Sequence, residues 1–345
     1  MFFITYPFKN LVFEGGGVKG IGFVGVLKVL EEKHILENIK RFGGTSAGAI
    51  TALILGLGYT ISELEDILSV LDLNKFKDDT IGPVGDVFRL FHAYGWCKGE
   101  HFESWIEDIV AEKTGDRTST FKDIHERMES HNFREVYFQG TNVSTHLVET
   151  FSFEKSPNMS IAKAVRISMS IPFFFEAVKW ESNIYVDGGV LDNYPIRLFD
   201  WGRYVKQEEH YSIPTYYVDT NNALLENEPH DTRVYNKETL GIRLESKEDI
   251  NAYMHNIPPK RHEIKDLSDF TWHLIRSIMS SQRNIYLNEN DSARTIYIDS
   301  LGVSAVDFDI SCETKVKLIE SGEKSTQDFF KRYDNSNKER PNRPL

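Results

Sequence analysis

Two strand–turn–helix units follow one another near the start of the chain, and glycines occupy the turn in both. A short apolar strand at residues 10–13 runs into a glycine-rich loop and then into a helix over residues 20–33. A second strand, residues 39–42, runs into Gly43-Gly44 and then into a helix over residues 47–57. Successive units of this kind are typical of a parallel sheet with helices on its faces. The sequence therefore predicts an α/β fold with a mostly parallel central sheet.

The regular alternation weakens after about Trp201. Residues 221–260 are polar and rich in charge, and their apolar pattern is weak. A strand over residues 295–298 and a long helix that begins near residue 313 follow. We therefore expect an α/β core over residues 8–201, a C-terminal extension packed on it over residues 202–330, and a flexible tail over residues 331–345.

Composition excludes several classes of protein. Forty Lys and Arg residues against fifty-two Asp and Glu residues give a net charge of −12, which argues against nucleic acid as the main partner. The two cysteines are far apart and form no CxxC motif, so neither a disulfide framework nor a zinc site is expected. The first residues lack the features of a secretion signal, and the longest apolar run is too short to span a membrane. We expect a soluble cytoplasmic protein that contacts membranes only at their surface, and leave leaderless secretion as an effector open.

The turn after the second strand reads Gly44-Thr45-Ser46-Ala47-Gly48, which fits the pattern G-x-S-x-G. A nucleophilic serine has to stand on a tight turn at the carboxyl end of a strand, where flanking glycines let backbone approach without a Cβ clash. The helix that follows directs amide groups and a partial positive charge toward the reacting oxygen. Ser46 is therefore our candidate nucleophile. The alternative is a small-residue turn whose serine only caps the helix.

The turn after the first strand reads Gly15-Gly16-Gly17-Val18-Lys19-Gly20. Consecutive glycines present several backbone amides to one concavity, which suits an oxyanion or a phosphate. Lys19 would help to bind an anionic head group. The segment also fits G-x-G-x-x-G, so a dinucleotide-binding oxidoreductase is a competing interpretation, with Glu31, Glu32 or Glu37 as the acidic residue that such a fold needs.

The third motif is Asp187-Gly188-Gly189, at the end of a short predicted strand. A serine nucleophile needs a base, which is usually a histidine. The six histidines before residue 200 stand in no motif-like setting, so a Ser–Asp dyad is the hypothesis, in which Asp187 accepts the Ser46 proton directly. Shelter from water would raise the pKa of this carboxyl group and favour that role. Histidines after residue 200, such as His210, remain formal candidates for a triad.

Taken in this order, the three motifs resemble those of the patatin-like phospholipase family. The resemblance extends to Ser168–Phe175 before the aspartate and to Val190–Pro195 after it, and it covers roughly residues 8 to 200. Glu14 is a small departure, since many members carry aspartate there. The resemblance implies a three-layer α/β/α fold with a C-terminal extension.

The resemblance also implies roles for individual residues. Ser46 would be the nucleophile and Asp187 the proton acceptor. The loop Gly15–Val18 would form the oxyanion hole, with the backbone amides of Gly16 and Gly17 as donors. The neighbouring residues would support these groups: Gly44, Thr45, Ala47 and Gly48 at the elbow, Lys19 and Gly20 after the loop, and Gly188 and Gly189 after the aspartate.

The activity implied is hydrolysis of phospholipid or lysophospholipid esters at a membrane or micelle surface, through an acyl-serine intermediate. No metal or cofactor is implied, and a protein activator is left open. Three alternatives stand beside it: acyl transfer by the same residues, the dinucleotide-binding oxidoreductase, and a catalytically silent lipid-binding module on the same fold.

Overall fold

The computed structural model describes residues 6–71, 95–227, 231–246, 289–305 and 309–335, with isolated positions between 261 and 281 and residue 307. Its strands are β1 (Asn10–Phe13), β2 (Arg41–Gly44), β3 (Gly95–Cys97), β4 (Glu135–Asn142), β5 (Leu147–Phe151), β6 (Phe173–Phe175), β7 (Val178–Trp180), β8 (Asn183–Asp187), β9 (Tyr211–Ser212), β10 (Tyr235–Asn236), β11 (Thr239–Glu245) and β12 (Thr295–Asp299). Its helices are α1 (Gly22–Glu32), α2 (Ala47–Gly56), α3 (Ile61–Val70), α4 (Glu100–Thr114), α5 (Phe121–Glu126), α6 (Met128–His131), α7 (Ile161–Ser168), α8 (Thr215–Asn227), α9 (Glu289–Ala293) and α10 (Cys312–Asp334).

A mixed sheet forms the centre of the molecule. Its strands run in the order β12-β11-β1-β2-β4-β8-β7, and β5 pairs with β4. The strands from β12 to β4 are parallel, whereas β5, β7 and β8 join antiparallel. The predicted α/β fold with a mostly parallel sheet is confirmed. Gly44 lies beside Phe138 on β4, and Asp187 lies beside Gly140 two residues further on. This register brings the G-x-S-x-G turn and the aspartate to one region of the sheet.

Both faces of the sheet are covered. Successive side chains of a strand point to opposite faces, so Leu11 and Phe13 of β1 enter the main apolar core together with residues of α1, α2 and α10. Val12 points to the other face, where it packs with Tyr137 and Phe199. The sheet therefore separates two apolar layers.

The C-terminal part contributes strands to the sheet itself. β11 and β12 lie beside β1, and α10 packs along α1. The expectation of weak patterning over residues 221–260 is wrong for β11, which is buried along its whole length. Its charged residues give the strand a polar pattern, but Arg243 and Glu245 are buried as a pair with Nε and Oε1 3.3 Å apart. The division of the chain near residue 201 stays a prediction.

A buried ion network joins residue 200 to the C-terminal part. Two guanidinium nitrogens of Arg294 donate to the two carboxylate oxygens of Asp200 at 2.6 and 2.8 Å. Arg294 also donates to Asp291 at 2.7 Å, and the Tyr217 hydroxyl donates to Asp200 at 2.7 Å. All four side chains are buried. Bidentate geometry and additional hydrogen bonds offset the cost of desolvating these charges.

Replacing Arg294 by methionine is expected to lower the free energy of unfolding by about 3–5 kcal/mol, because the buried Asp200 carboxylate loses its bidentate cation, although Asp291 keeps its ion pair with Arg197. The measurement is urea denaturation at pH 7. Lys317→Met is the matched control: Lys317 is exposed and pairs with the exposed Glu313, so its loss should cost about 0.5 kcal/mol. A cost at Arg294 as small as the control's would contradict this account of the network.

Candidate active site

Ser46 lies on the turn between the end of β2 and the start of α2. Its backbone has φ 54° and ψ −124°, a conformation that costs a non-glycine residue about 1–3 kcal/mol. The turn also brings backbone segments together, since a Cβ on Gly48 would lie 2.5 Å from the Phe13 carbonyl oxygen. Thr45 fixes the turn from the other side, where its hydroxyl donates to the Asp192 carbonyl at 2.9 Å. The serine is therefore held in a strained conformation by its surroundings.

The segment Ser168–Ser170, at the end of α7, contacts both candidate catalytic residues. The Ser46 amide donates to the Ser168 hydroxyl at 3.0 Å, and Ser46 Oγ lies 3.3 Å from Met169 Sδ. The Ser170 carbonyl accepts from the Asp187 amide at 2.8 Å. Sequence reasoning assigned no role to these three residues, although it noted the segment. The structure shows that they link the serine turn to the aspartate.

Asp187 is the last residue of β8, and its carboxylate is buried. Oδ1 accepts from the Gly189 amide at 2.7 Å, whereas Oδ2 has no hydrogen-bond partner within the described part of the chain. Burial raises the pKa of Asp187 to about 7, against the lowering effects of the Gly189 amide and the nearby Ser46 hydroxyl. A carboxylate with this pKa and an unpartnered oxygen is suited to accept a proton near neutral pH.

The glycine loop between β1 and α1 has a left-handed residue at its centre. Gly17 has φ +55°, and a Cβ there would lie 1.9 Å from the Ala305 carbonyl oxygen, so only glycine fits. The amide of Gly15 donates to the Asn193 carbonyl at 2.9 Å, and that of Val18 donates to the Ala305 carbonyl at 3.1 Å. Within the described residues, no backbone carbonyl accepts a hydrogen bond from the amide of Gly16 or of Gly17. These two amides of the predicted oxyanion loop can therefore donate to a ligand.

Glu14 anchors the start of the glycine loop. Its Oε2 accepts from the Leu244 amide at 2.7 Å, and its Oε1 lies 3.7 Å from the Arg243 guanidinium. Both partners belong to β11, outside the region of family resemblance. The glutamate that replaces the usual aspartate thereby ties the loop to the neighbouring strand.

The predicted supporting residues lie around these groups. A Cβ on Gly20 would lie 3.3 Å from the Cβ of Ala47, so the turn after the glycine loop packs on the start of α2. Lys19 is half-buried in the same turn. A Cβ on Gly188 would lie 2.4 Å from the Gln139 carbonyl oxygen, which explains the small residue after the aspartate.

A mostly apolar cleft lies beside this site. Ala47, which follows Ser46, and Met169, which contacts it, line the cleft together with Val18, Leu68, Ile310 and Lys315.

The triad histidine and the dinucleotide site receive no support from this geometry. His210 pairs with Glu238, which directly precedes the amino end of β11. Ser46 follows the carboxyl end of β2, which runs parallel to β1 and β11, so the two residues lie at opposite ends of these strands. Within the described ranges, no histidine hydrogen bonds to Ser46 or Asp187, and no cluster of His, Cys, Asp or Glu is arranged to hold a metal. The acidic residues offered for a dinucleotide site, Glu31, Glu32 and Glu37, are exposed and precede β2 rather than follow it. The same described ranges contain no helix long and apolar enough to cross a membrane.

Comparison with known proteins identifies a family and several relatives that the chain resembles. The family model described as patatin-like phospholipase matches residues 11–200. "Uncharacterized protein R571" of Acanthamoeba polyphaga mimivirus is 35% identical over 193 residues, 56% of this chain and 61% of that protein. "Probable lipid hydrolase 463L" of Invertebrate iridescent virus 6 is 28% identical over 195 residues, 55% of this chain and 62% of that protein. The chain thus spans about three fifths of each of these relatives.

The fold has a solved counterpart. The crystal structure of VipD from Legionella pneumophila superposes with a TM-score of 0.61 at 16% identity, covering 94% of this chain and 67% of that one. The family resemblance seen in the sequence is confirmed. The chain belongs to the patatin-like phospholipase family.

Proposed function

We propose that the chain hydrolyses carboxylic ester bonds of phospholipids or lysophospholipids with a dyad of Ser46 and Asp187. The observation that carries the proposal is the strained serine turn beside a buried carboxylate whose Oδ2 is unpartnered within the described residues. Family membership and the printed name of the iridescent-virus relative support lipid hydrolysis as the reaction class. The adjoining cleft offers mostly apolar side chains to the acyl part of such a substrate.

The first half of the reaction forms an acyl-serine. Asp187 takes the Ser46 hydroxyl proton, and Oγ attacks the ester carbonyl carbon. The amides of Gly16 and Gly17 donate to the oxyanion of the tetrahedral intermediate, where donors already in place stabilise charge strongly. The intermediate then collapses, and the leaving alcohol receives the proton from Asp187.

The second half releases the fatty acid. Asp187, again ionised, takes a proton from a water molecule, which attacks the acyl carbonyl. Collapse of the second tetrahedral intermediate breaks the bond to Ser46 Oγ, which regains its proton from Asp187. The reaction needs no group beyond water, the two side chains and the loop amides.

The test is release of fatty acid from mixed micelles of phosphatidylcholine and lysophosphatidylcholine. Wild type should release fatty acid, and the preferred lipid should be evident from the products. Ser46→Ala should release none above background, whereas His210→Ala should behave as wild type. Activity that survives Ser46→Ala but is lost in His210→Ala would contradict the proposed dyad.

The pH dependence of kcat/KM follows from the raised pKa of Asp187. Only the ionised carboxylate can accept the serine proton, so kcat/KM should rise tenfold per pH unit below pH 7 and level off above about 7. The measurement uses a soluble ester between pH 5 and pH 9, which avoids effects of charged lipid surfaces. A profile that is already level at pH 5 would show that Asp187 is not the base.

A further inference from the structure

The cleft beside Ser46 is built partly by the C-terminal part of the chain. Ala47 and Met169 line the end that adjoins the serine. Leu68 and Leu71, at the end of α3, line another part together with Lys315 from the first turn of α10. The region that matches the family stops at residue 200, so the wall formed by α10 lies outside it.

Lys315 joins the two helices at that wall. Its ammonium donates to the Ser69 carbonyl of α3 at 2.5 Å, and its side chain is half-buried. Among the described residues that line the cleft, Lys315 alone is charged, whereas most of the others are apolar. An alkyl chain gains free energy as it advances along the apolar walls, but it would have to desolvate an ammonium group to pass this point.

We propose that the cleft holds the acyl chain of the substrate and that Lys315 limits its length. Lys315 is thus a specificity-determining residue, and the inference rests on the ester hydrolysis proposed above. Each methylene buried in the cleft should raise kcat/KM about fourfold, which corresponds to ~0.8 kcal/mol. The rise should stop at the chain length whose end reaches Lys315.

The experiment measures kcat/KM for p-nitrophenyl esters from butyrate to palmitate. Lys315→Leu should move the optimum to longer chains, with a gain of about fourfold for each newly buried methylene. Leu71→Trp, which fills the same end of the cleft, should move it to shorter chains. Lys317→Leu, on an exposed position of the same helix, is the matched control and should leave the profile unchanged.

A second readout does not need catalysis. Ser46→Ala, with and without Lys315→Leu, is titrated with fluorescent fatty acids of increasing length in the absence of micelles. The expected result is tighter binding of the longer chains when Lys315 is replaced. This measurement separates failure of the cleft from failure of the hydrolase: hydrolysis can be absent while length-dependent binding persists.

Three results would overturn the inference. If wild type, Lys315→Leu and Leu71→Trp are all active and have the same chain-length profile, the cleft does not hold the acyl chain. Fatty-acid binding by Ser46→Ala that does not change with Lys315→Leu would show the same without catalysis. A Lys315→Leu variant that loses rate only on phosphate-bearing lipids, with an unchanged ester profile, would place the lipid phosphate rather than the chain end at Lys315.

Discussion

Replacing Asp187 by asparagine is expected to lower kcat by about 10³–10⁴-fold, a size typical of losing a catalytic carboxylate. The asparagine keeps an oxygen that can accept from the Gly189 amide, but its amide group cannot take a proton from Ser46. The loss should therefore occur without unfolding. Rates on a soluble ester at pH 8 measure it, and circular dichroism shows whether the fold is kept.

The same substitution should stabilise the protein at alkaline pH. Burial raises the folded-state pKa of Asp187 from 3.8 to about 7, so above pH 7 the folded protein carries a buried charge that the unfolded chain holds in water. This costs roughly 4 kcal/mol, which asparagine avoids. As the pH falls from 7 toward 4, the carboxyl group is protonated in the folded protein before it is protonated in the unfolded chain. Wild type thereby regains the free energy of unfolding that the buried charge costs above pH 7.

The measurement is urea denaturation of wild type and Asp187→Asn at several pH values between 5 and 9. The difference in the free energy of unfolding should be largest near pH 8.5 and should shrink as the pH falls. Asp66→Asn, at an exposed position of α3, is the control for a general effect of removing one negative charge. A variant less stable than wild type at pH 8.5 would contradict the account of a costly buried carboxylate.

Replacing Ser46 by alanine or by glycine should abolish hydrolysis, with a loss of at least about 10³-fold in each case. The two variants should differ in stability. Alanine keeps the strain of φ 54° and ψ −124°, whereas glycine adopts this conformation readily. Ser46→Gly is therefore expected to be more stable than Ser46→Ala by about 1–2 kcal/mol.

A matched pair at an ordinary helical position provides the control. Ser104 lies inside α4, where glycine should be less stable than alanine by about 1 kcal/mol. The order of the two variants should thus reverse between positions 46 and 104 in thermal or urea unfolding. If alanine is the more stable at both positions, the turn at Ser46 is not strained.

The sequence predicted the local units well where apolar pattern and turn chemistry agree. β1 begins and ends where expected, and α2 ends one residue before the predicted bound. β2 lies two residues later than predicted, at Arg41–Gly44, because its pairing with β1 joins Arg41 to Asn10. Such shifts arise from long-range pairing, which a local pattern does not contain.

The parts that sequence reasoning missed depend on contacts between distant residues. β11 looked polar because Arg243 and Glu245 are charged, and only the fold pairs and buries them. Ser168 reveals no role until its hydroxyl meets the Ser46 amide 122 positions away. The Val18 amide likewise donates to the carbonyl of Ala305, a residue of the C-terminal part that is distant in sequence. The cytoplasmic location and the roles of the individual site residues stay predictions.

The central claim is that Ser46 is a nucleophile activated by Asp187. A fluorophosphonate probe tests it most directly: the serine oxygen attacks phosphorus, fluoride leaves, and Asp187 takes the proton. The measurement is the rate of labelling at pH 8, followed by peptide mass spectrometry. We predict that wild type is labelled on Ser46 and that labelling is about 10³-fold slower in Asp187→Asn. A label on another residue, or equally fast labelling of Ser46 in the asparagine variant, would contradict the account.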